Sequence, residues 1–236
     1  MYISRMPINT ARPGAARLVG SPYRMHAAVE QAFPPQAVQD ATNAEGDEGR
    51  ILWRLDSSAY NRSALYLYIV SPEKPDLTHI VEQAGWPEDP RWETKDYAPL
   101  LDRIQSGQVW NFRLKANTVR KALVDKGRTP REGVVGSLQG DVTPEQKVEW
   151  LARRCDSHGF SLAEGQGREA AVRVSQSRKE SFKRDGKDVT LSTAVFDGVL
   201  RVEDADLFRT TLCCGIGRAK GFGCGLLTVA PLSARE

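Results

Sequence analysis

The sequence is poor in the residues that build metal sites and disulfide frameworks. Its 236 residues include only four cysteines and three histidines. The histidines, His26, His79 and His158, are scattered and no Cys-x-x-Cys pair occurs, so the spacing disfavours a zinc site and we expect no metal. The adjacent Cys213 and Cys214 have a poor geometry for a structural disulfide.

Long apolar runs are also missing. No stretch approaches the roughly 18 apolar residues that a membrane-spanning helix needs. The opening segment, MYISRMPINTARPG, has neither the apolar centre nor the cleavage site of a signal peptide. We therefore expect a cytoplasmic protein with reduced thiols and no membrane contact.

The net charge is small, but the charges are unevenly distributed. The formal net charge is +3, yet residues 73–96 carry seven acids and three bases. Residues 113–131 and 168–187 carry seven bases each, and residues 207–225 carry three bases and no acid. Three basic segments in the second half predict a face that binds a polyanion. For each segment taken alone, an ordinary solvated surface is the better explanation.

Strand and helix signals alternate in the first half of the chain. Side-chain alternation predicts a strand at 2–8, and Ser21-Pro22 is a cap-and-proline helix start. Pro34-Pro35 is expected to end that helix. Three intervening stretches are expected to be mostly loop: 9–20, 36–49 and 71–99. The last of them is expected to contain one helical turn near 77–83. Further strands are predicted at 51–55, 64–70 and 109–116.

The second half repeats this order of elements. Thr143-Pro144 opens a helix to about Cys155, and Asp185-Gly186 marks a hairpin turn. The order strand, helix, strand, strand, helix, strand is ferredoxin-like, so we predict an α+β protein of two tandem ferredoxin-like domains. The other predicted elements are strands at 160–162, 170–182, 190–202 and 225–230, and a helix at 205–212. The predicted division is a first domain at 1–117, a linker at 118–140 and a second domain at 141–236.

A glycine-rich segment lies near the end of the chain. GIGRAKGFGCG, Gly215 to Gly225, has five glycines with Arg218 and Lys220 between them. Glycine backbone flanked by cations can cradle a phosphate. The segment lacks the spacing of a nucleoside-triphosphate loop and precedes a strand, whereas a dinucleotide loop follows one. This disfavours a nucleotide cofactor and leaves two alternatives, an RNA phosphate site or a plain flexible loop.

Tyr23 and His26 are the candidate catalytic residues. They lie three residues apart and so share a helix face. An imidazole can move protons near neutral pH, and a phenol beside it can position a hydroxyl. This pair suits RNA cleavage by the RNA's own 2′-hydroxyl, with Arg218 or Lys220 stabilising the phosphorane. The alternative is that His26 and Tyr23 are structural residues at the core margin.

The third constellation is a basic hairpin around the Asp185-Gly186 turn. A basic two-stranded ribbon can enter a groove or follow phosphates, and Phe182 can stack on a base or pack. The alternative is a solubilising surface hairpin. The bases in the hairpin are Arg178, Lys179, Lys183, Arg184 and Lys187.

Together these segments resemble the CasE family of CRISPR repeat-processing endoribonucleases, the Cascade-associated type I-E family. The resemblance covers nearly the whole chain, and its most specific part is a G-x-G-x-x-K-x-x-G-x-G-L-L pattern at the end. The matching segments are MYISR, SPYRMHAAVEQAF, ILWRL, FRLKAN, TPEQKVEWLARR, VFDGVLRV and GIGRAKGFGCGLLTVAPL.

The resemblance implies a function as well as a fold. It implies two tandem RNA-recognition-like domains and metal-independent cleavage at the base of a CRISPR repeat stem-loop. The ends would be a 2′,3′-cyclic phosphate and a 5′-hydroxyl, and the enzyme would stay on its hairpin RNA among other Cascade subunits. It places the catalytic pair on Tyr23 and His26, and stem recognition on the basic hairpin.

Two departures from the family pattern affect the expected contacts. Asn117-Thr118 stands where many relatives have Asn-Pro, so a different exit from that strand is expected. Ala27 stands where some relatives have a base, so that RNA contact is expected from Arg24 or from another residue. A binding subunit without catalysis and a nucleotide-binding enzyme are the alternative functions. The expected RNA-binding residues are Arg24, Lys115, Arg178, Lys179, Lys183, Arg184, Lys187, Gly215, Gly217, Arg218, Lys220, Gly221 and Gly223.

Overall fold

The described part of the chain forms antiparallel sheets with helices packed on them. The computed structural model describes residues 1–43, 49–57, 64–89, 91–122, 137–140, 143–163 and 172–232. Its two larger sheets have four and five strands, and a separate pair joins β6 (Val119–Ala122) to β7 (Ser137–Gly140). The prediction of a mixed helix-and-sheet protein is confirmed.

The first sheet contains four antiparallel strands in the order β2-β3-β1-β4. Helices α1, α2 and α4 pack on one face of it, because alternate residues of β1 and β3, such as Met6 and Leu67, are apolar and fully buried there. Its strands are β1 (Tyr2–Ile8), β2 (Leu52–Ser57), β3 (Leu65–Ser71) and β4 (Glu93–Asp96). The helices of this half are α1 (Pro13–Val19), α2 (Pro22–Glu30), α3 (Pro35–Asn43), α4 (Thr78–Ala84) and α5 (Ala98–Leu101).

The second sheet has the order β11-β5-β10-β8, with β9 also paired to β10. Phe196 of β10 stacks on Trp150 of α6 with ring centroids 6.4 Å apart, and Phe208 of α7 is fully buried in the same core. The strands are β5 (Val109–Asn117), β8 (Phe160–Leu162), β9 (Val172–Arg184), β10 (Lys187–Val202) and β11 (Leu227–Pro231). The helices are α6 (Pro144–Cys155) and α7 (Ala205–Cys214).

The structure corrects the predicted membership of one strand. The 109–116 strand was expected to complete the first unit, but β5 pairs with β10 and β11 in the second sheet. The fourth strand of the first sheet is instead β4, within the stretch predicted to be loop. The predicted boundary at residue 117 therefore does not separate the two sheets. Side-chain alternation identifies β5 as a strand, but it does not identify its partners.

Two helices occupy stretches that were predicted to be loop. Pro13 stands in the first turn of α1, where a missing N–H costs nothing. Pro35 likewise begins α3. Pro34-Pro35 therefore lies between α2 and α3, and the predicted loop at 36–49 begins as a helix. Both helices are short, which leaves little periodic signal in the sequence. Residues 44–48 of the predicted 36–49 loop and 123–136 of the predicted linker lie outside the described residues.

A buried arginine joins the two sheets. Arg54 on β2 is 2% exposed, and its guanidinium donates to both carboxylate oxygens of Asp56 at 2.8 and 2.7 Å. It also donates to the carbonyl oxygens of Arg113 and Leu226 at 2.9 and 2.7 Å, and to the hydroxyl of Thr228 at 2.8 Å. The planar guanidinium thus satisfies acceptors from both halves of the molecule at one buried point.

Arg54→Met is expected to lower the free energy of unfolding by about 3–5 kcal/mol, because Asp56 would keep a buried charge without its partner. The control, Arg153→Met, removes one member of an exposed ion pair with Glu149 on α6. That change should leave stability nearly unaltered. Urea denaturation followed by circular dichroism measures both variants, and equal losses would contradict this role for Arg54.

Candidate active site

Helix α2 presents Tyr23 and His26 at the margin of the first core. The Ser21 hydroxyl caps the helix by accepting from the Arg24 N–H at 3.4 Å, as the sequence predicts. Met25 faces the core and is fully buried. The two candidate catalytic side chains, one helical turn apart, are therefore left half-buried.

His26 lies between a carboxylate and the glycine-rich segment. Its Nε2 is 3.3 Å from Oε1 of Glu30, one turn further along α2. The edge of the imidazole meets the ring of Phe222, with centroids 5.8 Å apart. A Cβ atom on Gly221 would come within 3.1 Å of the imidazole Cε1, so glycine allows the backbone to lie directly against the ring.

The surroundings of His26 lower its pKa. Burial is the largest cause, and the positive charge of Arg184 acts in the same direction, while the Glu30 carboxylate opposes both. The net shift is downward from the ordinary value. At neutral pH the ring is therefore mostly neutral, the form that can accept a proton.

The basic hairpin brings its turn to the same place. Asp185 and Gly186 have φ values of 49° and 76°, the left-handed geometry of a tight two-residue hairpin. The Tyr23 hydroxyl donates to Oδ1 of Asp185 at 3.4 Å. The rings of Phe182 and Phe222 lie 4.9 Å apart, so the hairpin also contacts the glycine-rich segment. The five hairpin bases are all exposed: Arg178, Lys179, Lys183, Arg184 and Lys187.

The glycine-rich segment is a closed loop between α7 and β11. The Ile216 N–H donates to the Gly225 carbonyl at 2.9 Å and ties its two ends together. Gly217 and Gly223 have φ values of 79° and 75°, and a Cβ atom on either would press on a tryptophan, Trp150 or Trp53. Many of the glycines are thus required by the shape and packing of the loop.

Two predicted RNA contacts in this loop have another role. Gly215 is buried and its N–H donates to the Thr211 carbonyl at 2.8 Å, so its N–H is already used within the fold, and its contact with RNA stays a prediction. The Gly223 N–H donates to the Lys220 carbonyl at 3.3 Å. Gly217 and Gly221 are half-buried, and Arg218 is exposed on the same loop. Arg24 is exposed on α2.

Lys115 lies away from this cluster. It pairs with Glu180 at 2.9 Å, and its side chain is only 18% exposed. It lines the cleft between the two sheets together with Arg178 and Trp53. None of the described contacts of His26 involves Lys115, which β5 places in this cleft.

A small cavity adjoins His26 on the side of Glu30. Arg50, Trp53 and Lys220 line it with those two residues. The Trp53 indole N–H donates to the Gly221 carbonyl at 3.2 Å and so holds the loop beside His26. Burial, together with the charge of Arg50, lowers the pKa of Lys220, as expected when cations are held close together.

Three residues of this site were not predicted. The i,i+4 spacing of His26 and Glu30 is a usable sequence signal. Arg50 and Trp53 reach the site through long-range packing, which a single sequence does not reveal. Among the described residues, no group of three or more histidine, cysteine or acidic side chains could hold a metal ion. In the same part of the chain, no helix is long and apolar enough to cross a membrane.

Comparison with known proteins identifies the family. The family model described as CRISPR associated protein matches residues 1–231. The CRISPR-associated endoribonuclease Cse3 of Thermus thermophilus is 30% identical over 237 residues, which cover 98% of this chain and 100% of that protein. The Cascade subunit CasE of Escherichia coli is 31% identical over 185 residues, 77% of this chain and 89% of that protein.

A solved structure is similar over almost the same length. Cse3 bound to a 19-nucleotide RNA superposes with a TM-score of 0.77 at 27% identity, covering 98% of this chain and 100% of the other. The family match, the two relatives and this structure agree with the resemblance carried by the sequence motifs. The chain therefore belongs to the CasE family of CRISPR-associated proteins.

Proposed function

We propose that this chain is a CRISPR RNA-processing endoribonuclease that cleaves repeat stem-loop RNA and stays on the hairpin product as a Cascade subunit. One observation carries the proposal. His26 and Tyr23 lie where the basic hairpin turn meets the glycine-rich loop, so proton transfer groups and phosphate-binding groups converge. The relatives named as an endoribonuclease and as a Cascade subunit support it.

The strand orders support two ferredoxin-like units as the scaffold. In that fold the four strands lie in the order 4-1-3-2 across the sheet. The order β2-β3-β1-β4 matches it for the first unit, and β11-β5-β10-β8 matches it for the second. We place the start of the second unit at β5, with α6 and α7 as its two helices, and not at residue 141.

The proposed reaction is attack of a ribose 2′-hydroxyl on the adjacent phosphorus. The new O2′–P bond forms, the P–O5′ bond breaks, and the RNA is left with a 2′,3′-cyclic phosphate. The 2′-hydroxyl loses a proton and the leaving 5′-oxygen gains one. His26 transfers one of these protons, and Tyr23 positions the 2′-hydroxyl. Lys220 and loop N–H groups stabilise the charge of the phosphorane.

Glu30 is proposed to orient the imidazole. Its carboxylate beside Nε2 favours the tautomer that carries a proton there, which leaves Nδ1 as the acceptor nitrogen. A base held by a third group is the arrangement that activates hydroxyl nucleophiles in other enzymes. The downward-shifted pKa of His26 keeps Nδ1 unprotonated at neutral pH.

Stem binding is proposed to use the exposed cations around the hairpin turn. Lys183, Arg184 and Lys187 lie at the turn, and Arg178 and Lys179 follow the strand behind it. Arg24 and Arg218 extend the basic surface on α2 and the glycine-rich loop. Contacts of this kind are electrostatic, so affinity should fall steeply with salt.

The test is single-turnover cleavage of a repeat hairpin RNA with the protein in excess. Cleavage of the hairpin at one position at the base of its stem, with much slower cleavage of a shuffled unpaired RNA, is the expected result. Tight binding of the hairpin without cleavage would instead support the alternative function, a binding subunit without catalysis. Activity on free mononucleotides would overturn both.

The pKa of His26 should respond in opposite directions to changes in its two charged neighbours. Glu30→Gln removes the carboxylate that raises it, so the pKa should fall; Arg184→Met removes the cation that lowers it, so the pKa should rise. NMR titration of the imidazole in the free protein measures both shifts. The histidine-dependent limb of the single-turnover pH profile should move the same way. Shifts of equal sign would contradict the assigned contacts.

A further inference from the structure

A second surface of unusual composition lies on the first sheet. Arg5 and Pro7 of β1 and Tyr66 of β3 alternate with the buried Met6 and Leu67, so they face away from α2. They border a groove of about 580 Å³ between the sheet and the loop that precedes β4. None of the residues predicted to bind RNA lines this groove.

The groove is aromatic and acidic. Tyr66, Trp86 and Trp92 line it, and Trp86 is 43% exposed. Its charged residues are three acids, Glu88, Asp89 and Glu93, and two cations, Arg5 and Arg91. Both cations are paired with acids of the groove, Arg5 with Glu93 at 3.1 Å and Arg91 with Asp89 at 2.7 Å, so the excess negative charge of the groove lies on Glu88. The surrounding segment, residues 73–96, has seven acids and three bases. The exposed Trp86 lies in one groove with the half-buried Tyr66 and Trp92, and contiguous apolar surface marks interaction sites more often than single exposed residues do.

The groove also adjoins a sheet edge. The strand β4 is four residues long and lies at the end of the order β2-β3-β1-β4. Its outer side presents backbone N–H and carbonyl groups that an extended segment can pair with. An aromatic groove beside an open edge is suited to a chain that runs along the strand and places side chains in the groove.

We propose that this groove binds an extended, lysine- or arginine-bearing segment of a neighbouring protein subunit. The acidic rim favours a basic protein segment and disfavours RNA, whose phosphates it would repel. The exposed tryptophan supplies the kind of anchor that dominates protein interfaces. This inference rests on the proposed place of the chain in Cascade, and it assigns the surface through which the chain is held there.

The experiment measures binding of the chain, loaded with hairpin RNA, to its own Cascade protein subunits purified as a subcomplex without it. Two groove variants are used, Trp86→Ser and Glu88→Lys/Asp89→Lys. The matched control is Glu73→Lys/Glu82→Lys, which makes the same charge change on exposed residues of the same segment outside the groove. Melting temperature and single-turnover RNA cleavage are measured on every variant.

Each groove variant should weaken subcomplex binding at least about tenfold, with RNA cleavage and melting temperature unchanged, while the control binds like the wild type. Raising the salt concentration should weaken the wild type more than the charge-reversed variant. Three outcomes would overturn the proposal. Both groove variants would bind the subcomplex as tightly as the wild type, the control would lose as much affinity as they do, or the wild type itself would not bind. Binding of a 12-nucleotide oligouridylate is measured on the same proteins. If the groove variants alone bind it more weakly than the wild type, the groove is an RNA site and the proposal is overturned. Absence of RNA cleavage by the wild type would instead count against the proposed function.

Discussion

His26→Ala should reduce the single-turnover rate constant for hairpin cleavage by about 10²–10⁴-fold, the usual contribution of a positioned general acid or base. Affinity for the hairpin should stay close to that of the wild type, because the imidazole is mostly neutral at neutral pH and adds little positive charge to the RNA-binding surface. Its lowered pKa follows from burial and from Arg184. A cleavage gel and a filter-binding curve on the same preparations separate the two quantities.

The matched control for this variant is another half-buried histidine. The Nδ1–H of His158 donates to the Arg154 carbonyl at 2.8 Å at the end of α6. Lys220 contributes to lowering the pKa of His158, but none of the described contacts of Tyr23 or His26 involves this histidine. His158→Gln should cleave at the wild-type rate. Wild-type cleavage by His26→Ala would remove His26 from the mechanism, and a loss of RNA affinity equal to the loss of rate would make it a binding residue.

A hairpin RNA with a single 2′-deoxy nucleotide at the scissile position should bind normally and stay intact. The nucleophile of the proposed reaction is the 2′-oxygen of that nucleotide, so its removal leaves nothing to form the cyclic phosphate. Affinity should hardly change, because stem binding uses exposed cations such as Lys183 and Arg184 on phosphates. Denaturing gels and a competition assay measure the two results.

The control RNA carries the 2′-deoxy nucleotide one position to the 3′ side. It should be cleaved at nearly the normal rate, because its scissile ribose keeps the hydroxyl. Cleavage of the first RNA would indicate attack by water and would invalidate the role assigned to Tyr23. Resistance of both RNAs would indicate that the substitution changes RNA shape and not the nucleophile.

Local signals predicted the elements that present the site. Ser21-Pro22 predicted the start of α2, and Asp185-Gly186 predicted the hairpin turn, because a cap and a tight turn are chosen by a few adjacent residues. The spacing of Tyr23 and His26 then put both on one helix face. None of this required knowledge of distant contacts.

The strand partners and the ion pairs of the site depend on residues that are far apart in the sequence, so local patterns do not predict them. The order of elements places β5 in the first unit, but in the structure its partners are β10 and β11. Its side-chain alternation would be the same in either sheet, so it does not identify the partners. The four polar residues of β4 carry no periodic signal, so that strand was missed. Lys115 is predicted to bind RNA, and only the fold reveals its pairing with Glu180.

The glycine-rich loop shows the same limit at single residues. Its composition indicated a phosphate cradle, but Gly215 and Gly223 are needed for left-handed backbone and for close packing on Leu52 and Trp53. Gly221 differs, because the space a side chain would fill is occupied by the His26 ring. Left-handed backbone, close packing and room for the His26 ring all exclude a Cβ atom, so the number of glycines in the loop does not show which of these reasons applies at each position.

The chemistry of the product ends distinguishes attack by the ribose 2′-hydroxyl from hydrolysis by water. Wild-type protein is incubated with repeat hairpin RNA in excess EDTA, and the fragments are identified by mass spectrometry. We expect cleavage that is unaffected by the chelator, with a 2′,3′-cyclic phosphate or its opened form on one fragment and a 5′-hydroxyl on the other. A 3′-hydroxyl with a 5′-phosphate, or loss of cleavage in EDTA, would contradict the proposed reaction.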